Sequence, residues 1–287
     1  MRRFMSKHFV VCNVVILIVS IAVFPLNWAH SGQQMTLQIH PYLPAAELLS
    51  RFAPLIKYLS ESTDTEITCN ISKNYQEHIK KVGKDQVDIA YLGPASYVEI
   101  VSRYSKKPIL ARLEVKGSPY FKGVIITRQS SPIYTLIDLK GKRFAFGDRH
   151  STMSYLVPLH MLQENGVPYK SLGGYEFLNS HKNVVLGVLM GDFDAGAVKE
   201  EVFFQYRDRG LRDIAWTPEI SEHLFVARSS LPKKTIDELR KVLLGIKRHD
   251  VILSSIKQDV TALVSARDKD YDNLRSILLT LPQLSGK

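Results

Sequence analysis

Cys12 and Cys69 are the only two cysteines in the 287-residue chain, so disulfide bonds cannot be the main support of its fold. The signatures of the common enzymes are missing too. There is no Gly-x-Ser-x-Gly elbow, phosphate-binding Gly-Lys-Ser/Thr loop, His-Glu-x-x-His motif or dinucleotide fingerprint. Asp148, His150 and Ser151 have the residue types of a catalytic triad, but neighbours in one turn cannot adopt its geometry. We therefore predict no catalytic residues, no metal ligands and no cofactor.

Long runs of like charge are also scarce. Lys and Arg number 38 against 28 Asp and Glu, a formal charge of +10, and the excess is spread along the chain. This distribution argues against a nucleic-acid partner and indicates only a general attraction for anions. Because 45% of the residues are apolar, the chain can bury a large core in one domain or two lobes, and we expect a monomer.

An apolar run near the amino terminus is short for a membrane span. It covers residues 9–24, 16 residues that include Asn13, whereas a spanning helix needs about 20. Basic residues precede the run and Ala29-His30-Ser31 follows it, which is the order of a secretory signal peptide. We predict that residues 1–31 are such a peptide and that the protein is exported; an uncleaved membrane anchor is the alternative.

Removal of that peptide would leave Cys69 as the only cysteine. Cys69 alternates with Ile67 and Ile71, which predicts a small buried side chain on a strand. The alternative role is a soft ligand for a thiophilic solute.

Strand-like and helix-like hydrophobic patterns alternate along the chain. In the first part, strand patterns cover residues 35–39, 65–71 and 87–91, and helical patterns cover 48–59 and 75–82. After residue 121, further strand patterns cover 123–127, 142–146, 194–198 and 213–216. Such alternation predicts α/β units in which helices cover both faces of a mainly parallel sheet.

Two segments are predicted to connect the two units. Residues 109–115 and 120–128 flank Lys116-Gly117-Ser118-Pro119, and residues 223–228 offer a return strand. We therefore predict two lobes joined by two hinge strands. Residues 32–119 and 218–287 form lobe 1 in this division, and residues 120–217 form lobe 2. The final stretch is predicted to be helical as far as Leu281.

Residues 141–155 predict a strand that ends in a polar turn and opens a helix. Ser151 and Thr152 fall in the cap and first turn of that helix. Unpaired backbone N–H groups, the helix dipole and two hydroxyls can together surround a tetrahedral oxyanion there. The alternative is that Ser151 only caps its own helix. Pro158 is expected to bend or restart the helix.

Other polar and aromatic residues lie near the carboxyl ends of predicted strands, where open α/β sheets bind ligands. They are Tyr75, Tyr91, Tyr120, His181, Glu201 and Glu222. Each has a structural alternative. Tyr91 can belong to the core, His181 can cap the helix that begins near Asn183, and Glu201 can be a solvated charge.

Three motifs, at residues 88–97, 141–154 and 191–201, resemble the phosphate/phosphite/phosphonate family of periplasmic binding proteins that serve ABC importers. The likeness covers about Thr36 to Arg275. It implies a type II binding-protein fold, in which a ligand is trapped between two α/β lobes that close by hinge motion.

The resemblance also implies site residues. A phosphorus oxyanion is expected at Ser151 and Thr152, with Ser154 from the same motif. Further contacts would come from Tyr75, Tyr91, Tyr120 and His181, and from Glu201 and Glu222 toward the rest of the ligand. Met153 stands where family members often carry a third hydroxyl.

The function implied is periplasmic capture of a phosphonate, phosphite or phosphate and its presentation to an inner-membrane ABC permease. One alternative is a sensory receptor of the same fold that hands a ligand, such as arsenite held by Cys69, to a histidine kinase. Another alternative is an exported enzyme that handles phosphoryl groups.

Overall fold

The computed structural model describes residues 34–281, so the predicted signal peptide lies outside the described residues. Within that range, no helix is both long enough and apolar enough to cross a lipid bilayer. The strands are β1 (Gln34–Ile39), β2 (Glu66–Ile71), β3 (Ile89–Leu92), β4 (Ile109–Val115), β5 (Tyr120–Phe121), β6 (Gly123–Arg128), β7 (Arg143–Phe146), β8 (Gly174–Phe177), β9 (Ala195–Lys199), β10 (Leu211–Trp216), β11 (Ile220–Ser221), β12 (Leu224–Ala227) and β13 (Val260–Val264). The helices are α1 (Ala45–Thr63), α2 (Tyr75–Gly83), α3 (Pro94–Arg103), α4 (Val157–Glu164), α5 (His181–Met190), α6 (Glu200–Tyr206), α7 (Lys233–Leu244), α8 (Val251–Ile256) and α9 (Asp272–Thr280).

The first sheet contains six strands in the order β13-β4-β12-β3-β1-β2. Strand β1 pairs in parallel with β2 and β3, whereas β12 and β4 pair antiparallel with their neighbours. Helices α1, α7 and α8 contribute to the apolar core on one face, and α2, α3 and α9 to the core on the other. In α1, Leu48, Phe52, Leu55 and Leu59 recur every three or four residues and are all buried, which confirms the predicted helix.

The second sheet has five strands in the order β10-β6-β9-β7-β8. Strand β7 pairs in parallel with β8 and β9, and β6 pairs antiparallel with β9 and β10. Helix α4 packs into the core on one face, and α5 and α6 into the core on the other. The α/β fold with two sheet-containing lobes is therefore confirmed.

Both sheets are mixed, whereas the sequence pattern predicted mainly parallel sheets. The chain enters β6 and β12 directly from the other lobe, without the crossover helix that a parallel pairing requires. These strands consequently run antiparallel to their neighbours.

Two short strands carry the chain between the sheets. Strand β5 lies between β4 and β6, and β11 lies between β10 and β12. They pair antiparallel, with Tyr120 opposite Ser221 and Phe121 opposite Ile220. The lobe boundaries at 119/120 and 217/218 and the two hinge strands stay a prediction. The expected return strand, residues 223–228, overlaps β12 of the first sheet, and β11 precedes it.

The carboxyl-terminal stretch contains a strand that the sequence pattern did not predict. Residues 260–264 form β13, which pairs antiparallel with β4 at the edge of the first sheet. A run of five mostly apolar residues fits a strand or a helix equally well, and its partner lies far away along the chain. The prediction that this stretch is wholly helical is therefore wrong.

Cys69 lies on β2, directly opposite Leu37 of β1, and packs against the core of the first sheet. Burial raises the pKa of the thiol to about 11, so the reactive thiolate is scarce at neutral pH. Cys69 thus packs on a strand as predicted, but it is partly buried and not fully enclosed.

Candidate functional site

A small pocket lies between the ends of the two sheets; we call it the inner pocket. Its volume is about 30 Å³. It is lined by His40, Tyr42, Tyr75, Gly93, Phe121, His150, Ser151, Thr152, Met153, His181, Lys199 and His223. Five of these twelve residues directly follow a strand or begin a helical segment, namely His40, Tyr75, Gly93, Thr152 and His181. Open α/β sheets bind ligands at such positions.

The turn after β7 brings Ser151 to the pocket. Gly147 begins this turn, and a Cβ there would lie 2.5 Å from the Ser154 hydroxyl, so only glycine fits. The Ser151 hydroxyl accepts a hydrogen bond of 3.2 Å from the Ser154 backbone N–H. Ser151 therefore does cap its helix, and its hydroxyl keeps a proton that it can donate into the pocket.

Thr152 links the same turn to the first lobe. Its hydroxyl accepts a hydrogen bond of 3.2 Å from the backbone N–H of Ala95, in the first turn of α3. The hydroxyl proton remains available for another acceptor. After this turn the chain forms one wide helical turn, residues 152–156, before α4 starts at Val157, so Pro158 sits at the start of a helix as expected.

His181 has a defined tautomer. The backbone N–H of Lys199 donates to Nδ1 of His181 over 3.2 Å, so the proton of the neutral ring is on Nε2. Burial, followed by the nearby Lys199 charge, lowers the pKa of His181 to about 3. At neutral pH His181 is thus an uncharged donor at the edge of the inner pocket.

His40 and Tyr42 carry polar atoms that are buried and unpaired. Neither ring nitrogen of His40, nor the Tyr42 hydroxyl, has a hydrogen-bond partner within residues 34–281. Burial, and next the neighbouring His223, hold the pKa of His40 well below its usual range. A buried polar group without a partner is costly, so these atoms indicate a site that a polar ligand completes.

His150, at the pocket rim, favours its protonated form, unlike His40 and His181. Its Nδ1 lies 3.0 Å from the Glu99 carboxylate, and that hydrogen bond raises the pKa of His150. The ring is stacked on Tyr75 at a centroid distance of 6.4 Å. Protonation of His150 is therefore favoured, which suits an anion nearby.

A group of four charged residues borders the pocket; we call Lys199, Glu201, Glu222 and Lys257 the lysine–glutamate cluster. Glu222 and Lys257 are buried, and Lys199 and Glu201 are half-buried. Lys199 Nζ lies 2.9 Å from Glu201, and Lys257 Nζ lies 2.7 Å from Glu222 and 3.6 Å from Glu201. The other Glu222 oxygen accepts from the backbone N–H of His223 and lies 2.7 Å from its Nδ1.

The charges of Glu222 and Lys257 stabilise each other, whereas burial outweighs the nearby Glu201 and lowers the pKa of Lys199. Burial opposes the charge on Glu222, but Lys257 and His223 outweigh it and hold the pKa of Glu222 well below its usual range. Burial likewise opposes the charge on Lys257, and Glu222 and Glu201 outweigh it, so the pKa of Lys257 is raised. The buried Glu222–Lys257 pair is consequently ionised.

A larger cavity of about 680 Å³ lies on the other side of Phe121, and we call it the outer cavity. Tyr120, Glu201, Trp216 and Lys257 are among its lining residues. Among the described residues, no group of three or more His, Cys, Asp or Glu side chains is arranged to hold a metal ion in either space.

Residues 37–271 match the family described as the phosphonate periplasmic substrate-binding protein of ABC transporters. The chain belongs to this family. A probable ABC transporter phosphite binding protein, PhnD1 of Prochlorococcus marinus strain MIT 9301, is 25% identical over 249 residues, 79% of this chain and 82% of the relative. The phosphate-import protein PhnD of Mycolicibacterium smegmatis is 25% identical over 277 residues, 85% of each chain.

The solved structures have the same fold. PhnD1 from Prochlorococcus marinus in complex with methylphosphonate superposes with a TM-score of 0.77 at 24% identity, over 85% of this chain and 97% of that chain. A binding protein component of an ABC phosphonate transporter from Pseudomonas aeruginosa gives a TM-score of 0.75 at 23% identity, over 86% of each chain. The resemblance inferred from the three motifs is therefore confirmed.

Within this periplasmic substrate-binding protein, four of the predicted ligand-binding residues line the inner pocket. They are Tyr75, Ser151, Thr152 and His181. Tyr120 and Glu201 instead line the outer cavity, and Tyr120 is 42% exposed. Their roles as ligand contacts stay predictions.

The remaining predicted residues lie behind the pocket. Tyr91 is buried in the core of the first sheet and stacks on His223 at 5.7 Å. The Ser154 hydroxyl donates to the Ala197 carbonyl and does not line the pocket. Glu222 is fully buried within the lysine–glutamate cluster. Each of the three thus has a protein partner for its ring or a polar atom, and their roles as ligand contacts stay predictions.

Sequence reasoning missed five pocket residues: His40, Tyr42, His150, Lys199 and His223. Three of them follow the strand-end rule that identified the others, since His40 comes directly after β1, Tyr42 lies two residues further on, and Lys199 ends β9. That rule selects positions along the chain, but the direction of each side chain decides which residues face the ligand.

Proposed function

We propose that the protein captures a small phosphorus oxyanion in the inner pocket and presents it to an inner-membrane ABC permease, without chemical turnover. The observation that carries this proposal is the set of buried donors that converge on one small space, some of them unpaired. Ser151 and Thr152 offer hydroxyl protons, and His181 offers Nε2–H. Three such donors on one pocket suit a tetrahedral anion with several oxygens.

Charge supports the same ligand class. The Lys199 ammonium lines the pocket, and His150 at the rim is disposed to protonation. Burial of an anion without compensating charge would be costly, so a cation inside the pocket offsets the loss of hydration. Tyr42 and Tyr75 remain protonated because burial raises the pKa of both phenols, and they can only add neutral hydrogen bonds.

His223 supplies an acceptor among these donors. Since the Glu222 carboxylate can only accept, the proton of the neutral His223 ring is on Nδ1 and its Nε2 carries a lone pair. That lone pair can accept a hydrogen bond from the P–OH group of a monoprotonated anion. Phosphate, phosphite and phosphonates all carry such a group near neutral pH.

Capture and release would follow from motion at β5 and β11. In the closed arrangement, the hydrogen bond from Ala95 to Thr152 ties the first lobe to the oxyanion turn of the second. Opening at the two crossing strands breaks that bond and exposes the inner pocket. A bound anion that contacts both sides stabilises the closed form that a permease would recognise.

The test is isothermal titration calorimetry with phosphate, phosphite and methylphosphonate. Ser151→Ala and Thr152→Ala should each weaken binding by about 1 to 3 kcal/mol, because each leaves a buried anionic oxygen short of a donor. Ser254→Ala, at an exposed position of helix α8, is the matched control and should bind as the wild type does. Unchanged affinity in both site variants would contradict the proposal.

Chemical turnover is tested on the same samples. After incubation with a stoichiometric amount of ligand, phosphorus NMR of the released ligand should show the original compound only. Steady conversion of the ligand or of a phosphomonoester, abolished in Ser151→Ala, would instead support an enzyme.

A further inference from the structure

We propose that Lys199 and Lys257 occupy the place at which a ligand ammonium group could pair with Glu201 and Glu222, so that the pocket selects compact anions and rejects aminoalkylphosphonates. This inference rests on the proposed function and names the ligand class within it. The protein's own lysines pair with these glutamates, next to the space where the anion would bind.

Glu222 is already paired within the protein and is closed off from solvent. One carboxylate oxygen lies 2.7 Å from Lys257 Nζ. The other accepts from the His223 backbone N–H at 2.8 Å and lies 2.7 Å from His223 Nδ1. The side chain of Glu222 has no exposed surface, so a ligand cation could reach it only by displacing one of these partners.

Glu201 is neutralised from the side of the inner pocket. Lys199 Nζ lies 2.9 Å from its Oε2, and Lys257 Nζ lies 3.6 Å from the same oxygen. Lys199 lines the inner pocket, whereas Glu201 lines the outer cavity. A ligand in the inner pocket therefore meets an ammonium group of the protein, and like charges repel.

The small size of the inner pocket also favours compact anions over aminoalkylphosphonates. Its volume of about 30 Å³ corresponds to roughly two water-sized sites, since one water needs about 10 to 15 Å³ on this scale. Phe121 and Met153 form apolar parts of its wall, and Phe121 also lines the outer cavity. An aminoethyl chain would have to fit beside this wall and would meet Lys199, which lines the same pocket.

The experiment compares ligands that share one phosphonate group. Calorimetry on the wild-type chain should show methylphosphonate binding at least tenfold more tightly than 2-aminoethylphosphonate. Equal affinities would overturn this inference and leave the proposed function intact. Absence of binding by methylphosphonate, phosphite and phosphate alike would overturn the proposed function and this inference with it.

The role of Lys199 is tested by Lys199→Met, which keeps the length of the side chain and removes its charge. The variant should gain at least tenfold in affinity for 2-aminoethylphosphonate relative to propylphosphonate, which has the same chain length without the ammonium group. The same change at exposed Lys234, Lys234→Met, is the matched control and should show no gain. No gain in Lys199→Met would overturn the assignment.

A second variant keeps the inference testable if Lys199→Met does not fold. Glu201→Gln removes the carboxylate charge that an ammonium ligand would need. We expect the ratio of affinities for methylphosphonate and 2-aminoethylphosphonate to stay within threefold of the wild-type ratio. A selective loss of tenfold or more for 2-aminoethylphosphonate would show that Glu201 binds the ligand ammonium, contrary to the inference.

Discussion

The inner pocket and the outer cavity share Phe121 but differ in how their polar groups are paired. The outer cavity is the larger of the two, about 680 Å³ against 30 Å³, and charges along its wall pair with each other, as in Lys122–Glu219 at 3.3 Å. The inner pocket holds the unpaired atoms of His40 and Tyr42. Unpaired buried polar atoms, rather than the amount of space, are therefore our reason to propose the inner pocket as the anion site.

The largest expected difference between the two spaces concerns stability. Glu222→Gln should lower the free energy of unfolding by about 3 to 5 kcal/mol, because it leaves Lys257 charged and buried. Glu219→Gln, which breaks the exposed pair with Lys122, should change it by less than about 1 kcal/mol. Chemical denaturation of both variants at pH 7 measures the difference, and equal losses would show that the buried cluster has no special role.

A smaller effect is expected from pH through His181. Its pKa of about 3 in the folded protein lies below the ordinary value of 6.5, so between these pH values the unfolded chain binds a proton that the folded protein does not. The stability contributed by the neutral ring is complete above pH 6.5 and is lost as pH falls toward 3. From pH 7 to pH 5 the loss should be about 2 kcal/mol.

The His181→Asn variant isolates this contribution from the other titrating groups. Its free energy of unfolding, measured by denaturation at pH 7 and pH 5, should fall less than that of the wild type by about the same 2 kcal/mol. Parallel pH profiles for the two proteins would mean that His181 is charged in the folded state.

Tyr42 lines the inner pocket and Tyr120 lines the outer cavity, so their phenylalanine variants show which space binds the oxyanion. Tyr42→Phe in the inner pocket should weaken oxyanion binding by about 1 kcal/mol, the usual contribution of one neutral hydrogen bond. Tyr120→Phe in the outer cavity should change it by a few tenths of a kcal/mol at most, since an exposed hydroxyl exchanges one water contact for another. Calorimetry that gave the reverse order would move the ligand toward the outer cavity.

The smallest effect is expected at Cys69. Cys69→Ser should leave oxyanion affinity unchanged, because the thiol packs against the core and lines neither space. A thermal-shift assay with arsenite should show no stabilisation that depends on the thiol. Stabilisation lost in the serine variant would revive the arsenite-binding alternative.

Local sequence patterns were sufficient to predict the pocket residues that lie at the starts of helices. Ser151 and Thr152 were found because a strand, a turn and a helix start follow each other within a few residues. His181 and Tyr75 were found for the same reason, since each begins a helix after a strand. These positions depend on backbone geometry that neighbouring residues determine.

The rest required tertiary information. Tyr91 and Tyr42 both lie near the ends of strands, yet Tyr91 is buried in the core and Tyr42 lines the pocket. The lysines that neutralise Glu201 and Glu222 include Lys257, from a segment more than 30 residues away along the chain. No spacing rule relates such residues, because the hinge crossings and the packing of two sheets bring them together.

The position of a bound ligand tests the central claim most directly. In a crystal structure with methylphosphonate, we expect the phosphonate oxygens within hydrogen-bonding distance of the Ser151 and Thr152 hydroxyls and of His181 Nε2. An anion located instead in the outer cavity, beside Tyr120 and Trp216, would contradict the claim that the buried donors of the inner pocket form the binding site.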